Sequence, residues 1–269
     1  MSNTETGYLN NLTELQAEAL ESLRVRVVEE LPNADLSADD LTIWGVSLEN
    51  LEQLSKVQKI VFLKFLRARD FKVDLSLRML LDTLKWRKEF NINSLMKESF
   101  PEEIQELGYI HKTDINGGPV TYNIYGNLKA DKVFDADGTP TRFVRWRVQL
   151  MERAIALLDF ENGVEAMTQV HDYHGASLFR MDRRMKTASS QIIQLFQDHY
   201  PEFLDRKLFV NVPGLMEMLF NLMSVFVSAR TKSKFLMVGQ ANTQKTLLTY
   251  ISKENLPTQY GGDSQLHTI

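Results

Sequence analysis

The stretch Thr168-Gln169-Val170-His171-Asp172-Tyr173-His174-Gly175 decides how the chain is read. It follows a long helical pattern and has the composition of a strand. Side chains of a strand alternate between its two faces. His171 and Tyr173 therefore share one side, and Asp172 and His174 take the other. An imidazole and a phenol become neighbours on one wall. Downstream lie a basic residue, Lys207, and a long apolar segment able to close a pocket over that wall. By itself such a pair also suits a half-buried strand whose His and Tyr satisfy local hydrogen bonds.

Upstream of this strand the pattern is helical. From Leu9 to Leu31, Leu12, Leu15, Leu20, Leu23 and Val27 recur at helical spacing, and Pro32-Asn33 stops the run. Asp35 to Glu49 is an acidic loop with Trp44 as its anchor. Ser55 to Arg69 is a second helix, burying Val61, Phe62, Phe65 and Leu66. Asp74 caps a third helix that runs to Phe90 with Leu77, Leu81, Leu84 and Trp86 on its apolar side. Residues 1–98 thus form an all-α N-terminal module.

From Pro101 the pattern changes. A short helix, Pro101 to Leu107, precedes the turn Asn116-Gly117-Gly118. Val120 to Tyr125 is a strand with Val120, Tyr122 and Ile124 on one face and Thr121, Asn123 and Tyr125 on the other. Thr141 to Phe160 is a long amphipathic helix, and the strand Glu165 to Tyr173 follows. Then come a helix from Asp182 to His199, a strand from Leu208 to Val212, an apolar helix from Gly214 to Ala229, a strand from Phe235 to Gly239 and a helix from Lys245 to Ile251. Strands alternating with helices predict a mainly parallel or mixed sheet with covering helices, an α/β domain over 99–269.

Composition excludes several functions. Lys+Arg is 31 and Asp+Glu is 35, a formal net charge of −4, which argues against general nucleic-acid binding. There is no cysteine, so disulfides, thiolate metal sites, iron–sulfur clusters and cysteine nucleophiles are out. Residues 1–11 are polar and carry no apolar signal core. No apolar run reaches membrane-spanning length. The chain holds no G-x-G-x-x-G, P-loop, G-x-S-x-G or H-E-x-x-H. His171 and His174 are spaced like metal ligands, but a strand turns them apart. The segment Leu215 to Val227, with Leu215, Met218, Leu219, Leu222, Met223 and Phe226, is apolar nearly all round. Such a helix is either deep core or a lid over something oily. Arg230, Lys232 and Lys234 follow it and suit anionic head groups as well as a solvated helix end.

Several segments together resemble the CRAL-TRIO (Sec-fourteen-like) lipid-binding family. They are Phe62-Leu63-Lys64-Phe65-Leu66-Arg67-Ala68-Arg69-Asp70-Phe71, Leu84-Lys85-Trp86-Arg87-Lys88, Tyr200-Pro201-Glu202, Val212-Pro213, Ser233-Lys234-Phe235 and Glu254-Asn255-Leu256-Pro257 with Tyr260-Gly261-Gly262. The resemblance runs from about Ser55 to Gly262. It implies a small helical domain followed by an α/β domain whose sheet floors a hydrophobic pocket closed by a gate helix, here Leu215 to Val227. Further segments are similar to one branch, the fungal phosphatidylinositol transfer proteins called Sec-fourteen homologue five. These are Tyr122-Asn123-Ile124-Tyr125-Gly126, Phe143-Val144-Arg145-Trp146-Arg147 and Met167-Thr168-Gln169-Val170-His171-Asp172-Tyr173.

That branch implies a pocket holding haem b. Its axial tyrosine falls on Tyr173, with His171 beside it and Tyr125, Arg147 (or the nearby Arg145) and Lys207 as further contacts. Arg147, Lys207 and His171 are expected to stabilise a tyrosinate or the propionates. The family's inositol-phosphate contacts fall on Arg67 or Arg69, Glu202, Thr231 and Lys234, while Glu202 and Lys234 also suit a hinge ion pair. The resemblance implies a non-enzymatic carrier of phosphatidylinositol and haem, cytoplasmic, and peripheral to the endoplasmic reticulum or plasma membrane. The competing expectations are an exchanger without haem, in which His171 and Tyr173 merely line the pocket, and a haem enzyme of catalase or peroxidase type.

Overall fold

A computed structural model describes residues 6–126, 128–176, 183–214 and 234–266. They fall into two compact units. The first comprises residues up to 98 together with 159–165 and 193–203; the second holds the rest.

In the first unit, α1 (Glu14–Glu30) begins at a capping box: the Gln16 amide donates to Thr13 Oγ1 at 3.3 Å and the Thr13 amide to Gln16 Oε1 at 3.0 Å. The acidic stretch after it is not only loop. Strands β1 (Thr42–Ile43) and β2 (Val46–Ser47) make a two-stranded ribbon, so the unit is not purely α. Trp44 at its turn is the expected anchor. It stacks on Phe65 at 5.7 Å and meets Phe203 edge-on at 4.5 Å. Helix α2 (Lys56–Ala68) starts at a second capping box, Ser55 with Gln58, and buries Val61, Phe62, Phe65 and Leu66 completely. Each such side chain contributes roughly 1.5–3 kcal/mol over leaving it exposed. Helix α3 (Val73–Phe90) starts one residue before Asp74, with Lys72 at the cap. Asp74 instead sits in the first turn, where a carboxylate faces the positive helix end, and it pairs with Arg26 at 2.9 Å. Asn91, left-handed at φ 58°, ends α3 and opens the short α4 (Ile92–Leu95).

The second unit opens with α5 (Glu102–Gln105), then β3 (Gly108–Thr113), β4 (Pro119–Ile124), α6 (Ala130–Val133), α7 (Thr141–Ile155), β5 (Met167–Asp172), α8 (Arg183–His199), β6 (Leu204–Val210), β7 (Phe235–Met237) and α9 (Gln240–Tyr250). From residue 193 onward α8 belongs to the first unit. The main sheet runs β3-β4-β5-β6-β7, with β3 antiparallel to β4 and the other pairs parallel. This is the mixed sheet the alternating pattern predicts. Strand β3 was not expected: it is an edge strand, half-buried along most of its length, so its residues lack a clean apolar alternation. Strand β6 begins four residues before the expected strand Leu208 to Val212, because the ladder recruits the polar Arg206 and Lys207. Helix α7 stops at Ile155 rather than Phe160, and Phe160–Asn162 form a separate 3₁₀ turn in which the Asp159 side chain accepts from the Asn162 amide.

The two faces of the sheet differ. On one, Val120, Tyr122, Val170, Leu208 and Val210 build a closed core with Leu247 and Ile251 of the α9 segment and with Leu256 and Tyr260. The other carries Thr121, Asn123, Gln169, His171, Lys207 and Phe209. Helix α7 packs on this face, with Gln169 Nε2 3.8 Å from Met151 Sδ. Gly108 permits the approach: a Cβ there would crowd Leu150 and Trp146.

Candidate functional site

The site is built where β4 and β5 end. The ladder pairs Asn123 with His171 and His171 with Phe209, so these three side chains form one row. The alternation continues past the strand ends. The Tyr125 amide donates to the Asp172 carbonyl at 3.0 Å, and the Tyr173 amide to the Val210 carbonyl at 3.0 Å. Tyr125 and Tyr173 therefore stand on the same face as His171. Gly126 lets this happen: a Cβ at that position would overlap the backbone of His174.

Ring contacts knit the site together. Tyr125 lies 5.7 Å from His171, His171 5.3 Å from Phe209, Tyr173 6.2 Å from Phe209, and Phe209 stacks on Phe235 at 6.3 Å. Phe143 of α7 meets Tyr125 edge-on at 6.2 Å. Lys207 Nζ sits 5.5 Å from the Phe209 ring centroid. Of the two arginines considered for α7, Arg147 is the buried one, at 3% exposure, and its charge acts on the Tyr125 phenol. The five residues expected together, Tyr125, Arg147, His171, Tyr173 and Lys207, converge on one face. Phe209 was missed because Leu208-Phe209-Val210 reads as uniformly apolar; the alternation that sends Leu208 and Val210 into the core sends Phe209 the other way.

Burial governs the charge states. It holds the His171 imidazole well below its ordinary value, and the nearby Lys207 and Arg147 push it further down. His171 is thus neutral. In the ligand-free protein hydrogen bonding is what His171 offers; Gln169 Oε1 lies 3.5 Å from its Nε2. Burial raises the Tyr173 phenol to about 12, with a smaller contribution from Tyr125. It also lowers Lys207 to about 8, helped by Arg147. Burial raises Tyr125 as well, although Arg147 opposes the shift.

Asp172 faces away and fixes the strand end. Its carboxylate accepts from Tyr260 Oη at 2.9 Å, Asn211 Nδ2 at 2.8 Å and the His174 amide at 2.8 Å. The Asp in the His-Asp-Tyr run is therefore an anchor for the two residues that flank it.

The residues expected to meet a lipid head group are spread over both units and beyond the described residues. Arg67 is committed internally: it pairs with Glu165 at 2.9 Å, donates to the Gly7 carbonyl at 3.0 Å and lies 4.2 Å over the Tyr8 ring. Of the pair, Arg67 is buried and Arg69 half-buried. The Glu202 backbone carbonyl accepts from the buried Lys64 at 2.9 Å. Glu202 and Arg69 belong to the helical unit and Lys234 to the sheet unit. Thr231 and the expected gate, with Leu215, Met218, Leu219, Leu222, Met223 and Phe226, lie outside the described residues. Among the described residues no helix is long and apolar enough to cross a membrane.

The CRAL/TRIO domain family matches residues 91–262, and the CRAL/TRIO N-terminal domain matches residues 13–82. The chain belongs to the CRAL/TRIO family. Its CRAL/TRIO domain therefore contains every residue of the sheet-face site. Patellin-3 of Arabidopsis thaliana is 35% identical over 265 residues, covering 96% of this chain and 53% of that protein. Patellin-6 of the same organism is 38% identical over 268 residues, 97% of this chain and 62% of that protein. The chain thus spans little more than half the length of these patellins. A phosphatidylinositol transfer protein SFH5 of Meyerozyma guilliermondii is 36% identical over 276 residues, covering 94% of this chain and 79% of that protein. Among solved structures, the crystal structure of Sfh5 superposes with a TM-score of 0.70 at 30% identity, covering 91% of this chain and 94% of that one. The match to a solved CRAL/TRIO relative agrees with the mixed sheet described above.

Proposed function

We propose that this CRAL/TRIO chain is a non-enzymatic carrier that transfers phosphatidylinositol between membranes and takes haem b at its sheet-face site. The transfer reading rests on family membership and on relatives named phosphatidylinositol transfer protein. The haem reading rests on one observation: Tyr125, Arg147, His171, Tyr173 and Lys207 meet on one face of the sheet.

The donor set suits that group. No cluster of three or more His, Asp or Glu side chains able to hold a metal occurs among the described residues. Tyr173 supplies one hard oxygen donor, and tyrosinate is a known ligand of haem iron. Its phenol holds its proton up to about 12, so binding would have to displace that proton; a ferric centre favours the anion directly. Arg147 and Lys207 supply positive charge for a phenolate or a propionate. Tyr125 and Phe209, both only half-buried, offer flat apolar surface. When bound, haem would supply a ferric centre favoured by a hard anionic ligand. Contact with membranes is peripheral on this reading, at the cytosolic face of the endoplasmic reticulum or plasma membrane.

The resting phenol also favours a second reading, an exchanger without haem whose Tyr173 is pocket lining. Visible absorption spectra of the full chain and of Tyr173→Phe, expressed with ample haem, separate the two. A ferric haem band present in the wild type and lost in the variant is expected. A colourless wild type that still moves fluorescent phosphatidylinositol between vesicles supports the exchanger. Failure in both assays overturns the carrier reading.

A further inference from the structure

Between β4 and α7 the chain makes an excursion that starts at Gly126, pinned against the His174 backbone, and ends at Pro140, where α7 begins. Its middle turns two apolar side chains inward. Val133 is 1% and Phe134 2% exposed. Phe134 meets Phe143 edge-on at 5.8 Å, and Phe143 in turn meets Tyr125. The inner side of the excursion is thus two ring contacts from the candidate site.

Its outer side carries three ion pairs, each from a different helix. Arg184 of α8 reaches Asp131 at 2.6 Å and lies 5.6 Å from the Phe134 ring centroid. Glu103, just inside α5, meets Lys132 at 3.5 Å. Arg142 of α7 meets Asp135 at 3.5 Å and donates to the Phe134 carbonyl at 3.0 Å. The first two pairs are open to solvent, Asp131 being 91% exposed. Exposed ion pairs contribute little and are screened by salt. The ties of the strap to α8 and α5 are therefore weak and salt-sensitive, while Arg142 holds its far end by hydrogen bonds as well.

We propose that residues 129–139 form a salt-latched strap over the Tyr125 end of the site, and that its opening sets how fast a bound ligand leaves. The release half rests on the carrier reading; the latch itself does not. Arg184 is the principal latch residue, because it bridges the strap to α8 and also lies against Phe134. Opening swings Phe134 away from Phe143 and uncovers Tyr125.

Two measurements on the full chain test this. The first is hydrogen–deuterium exchange of amides 130–138 in ligand-free protein, at about 0.05 M and about 0.5 M salt. Arg184→Ala should raise exchange there about 3- to 5-fold at low salt, as should high salt in the wild type. The paired swap Asp131→Arg with Arg184→Asp should restore protection. The second measurement is ligand loss, read as haem transfer to excess apomyoglobin and as fluorescent phosphatidylinositol transfer to vesicles. Its rate should rise by the same factor. Unchanged exchange overturns the latch. Faster exchange with unchanged loss of either ligand overturns the exit route. A wild type that takes up neither ligand overturns the carrier reading and the release half with it, and the exchange data then decide the latch.

Discussion

At the scale of single residues, Lys207 carries the most consequential charge. It lies against the Phe209 ring, with Arg147 as the nearby charge that pushes it further towards neutrality. A cation in such a place costs the ligand-free protein stability. Below about 8 the folded chain carries that cost in full. From there up to the ordinary lysine range, the unfolded chain binds a proton that the folded chain has shed. Stability therefore climbs with pH in that window. Lys207→Met should remove the climb and raise stability at neutral pH by on the order of 1 kcal/mol, while weakening any anionic ligand. Urea unfolding of both proteins at about pH 7 and about pH 9.5 checks the sign. A variant less stable than wild type at neutral pH would show that Lys207 is a structural partner and not a ligand group.

Among the elements, the junction of β4 and β5 and the clasp on α2 carry separate predictions. Gly126 and His174 bring the two strand ends into backbone contact, which sets Tyr125 beside Tyr173. Gly126→Ala must part them, and a loss of about 2 kcal/mol or more is expected, together with weakened haem binding on the carrier reading proposed above. Wild-type haem spectra in that variant would show that the site tolerates separation of the strand ends. On α2, Arg67 and Lys64 reach into residues distant in sequence. Arg67 pairs with Glu165, and Lys64 donates to the Glu165 and Glu202 carbonyls at 2.6 and 2.9 Å. Glu165→Ala strands a buried guanidinium, so a loss of roughly 3–5 kcal/mol is expected by chemical denaturation. A loss under about 1 kcal/mol would mean that water reaches Arg67.

At the scale of the whole molecule, the helical unit is discontinuous in sequence. Trp44 and Phe65 pack with Tyr200 and Phe203, and Trp86 stacks on His199 at 4.4 Å. Residues 1–98 lack those partners and the carbonyls that solvate Lys64. An isolated fragment of residues 1–98 should therefore show no cooperative thermal transition, although its helix content persists in part. Circular dichroism melts of fragment and full chain check this. A sharp transition in the fragment would mean that its own aromatic cluster suffices.

Much of this architecture is written locally. The period of apolar residues marks α2 and α3, and the alternation through β4 and β5 places His171 and Tyr173 on one face, because spacing along a strand or helix sets direction whatever lies nearby. The same alternation, extended by ladder bonds one residue beyond each strand, puts Tyr125 with them. Other features depended on contacts far apart in the chain. Edge strand β3 is recognisable only beside β4, and the polar start of β6 only beside β5. Phe209 joins the site because Leu208 and Val210 are claimed by the core. The choice of Arg147 over Arg145 follows from the rotation of α7 on the sheet. That Arg67 is spent on Glu165, that His171 is neutral and that Lys207 sits near 8 follow from burial and from neighbouring charges. Sequence periodicity sets which way a side chain points, but desolvation and pairing set its charge, and only the folded chain decides what each side chain is buried against.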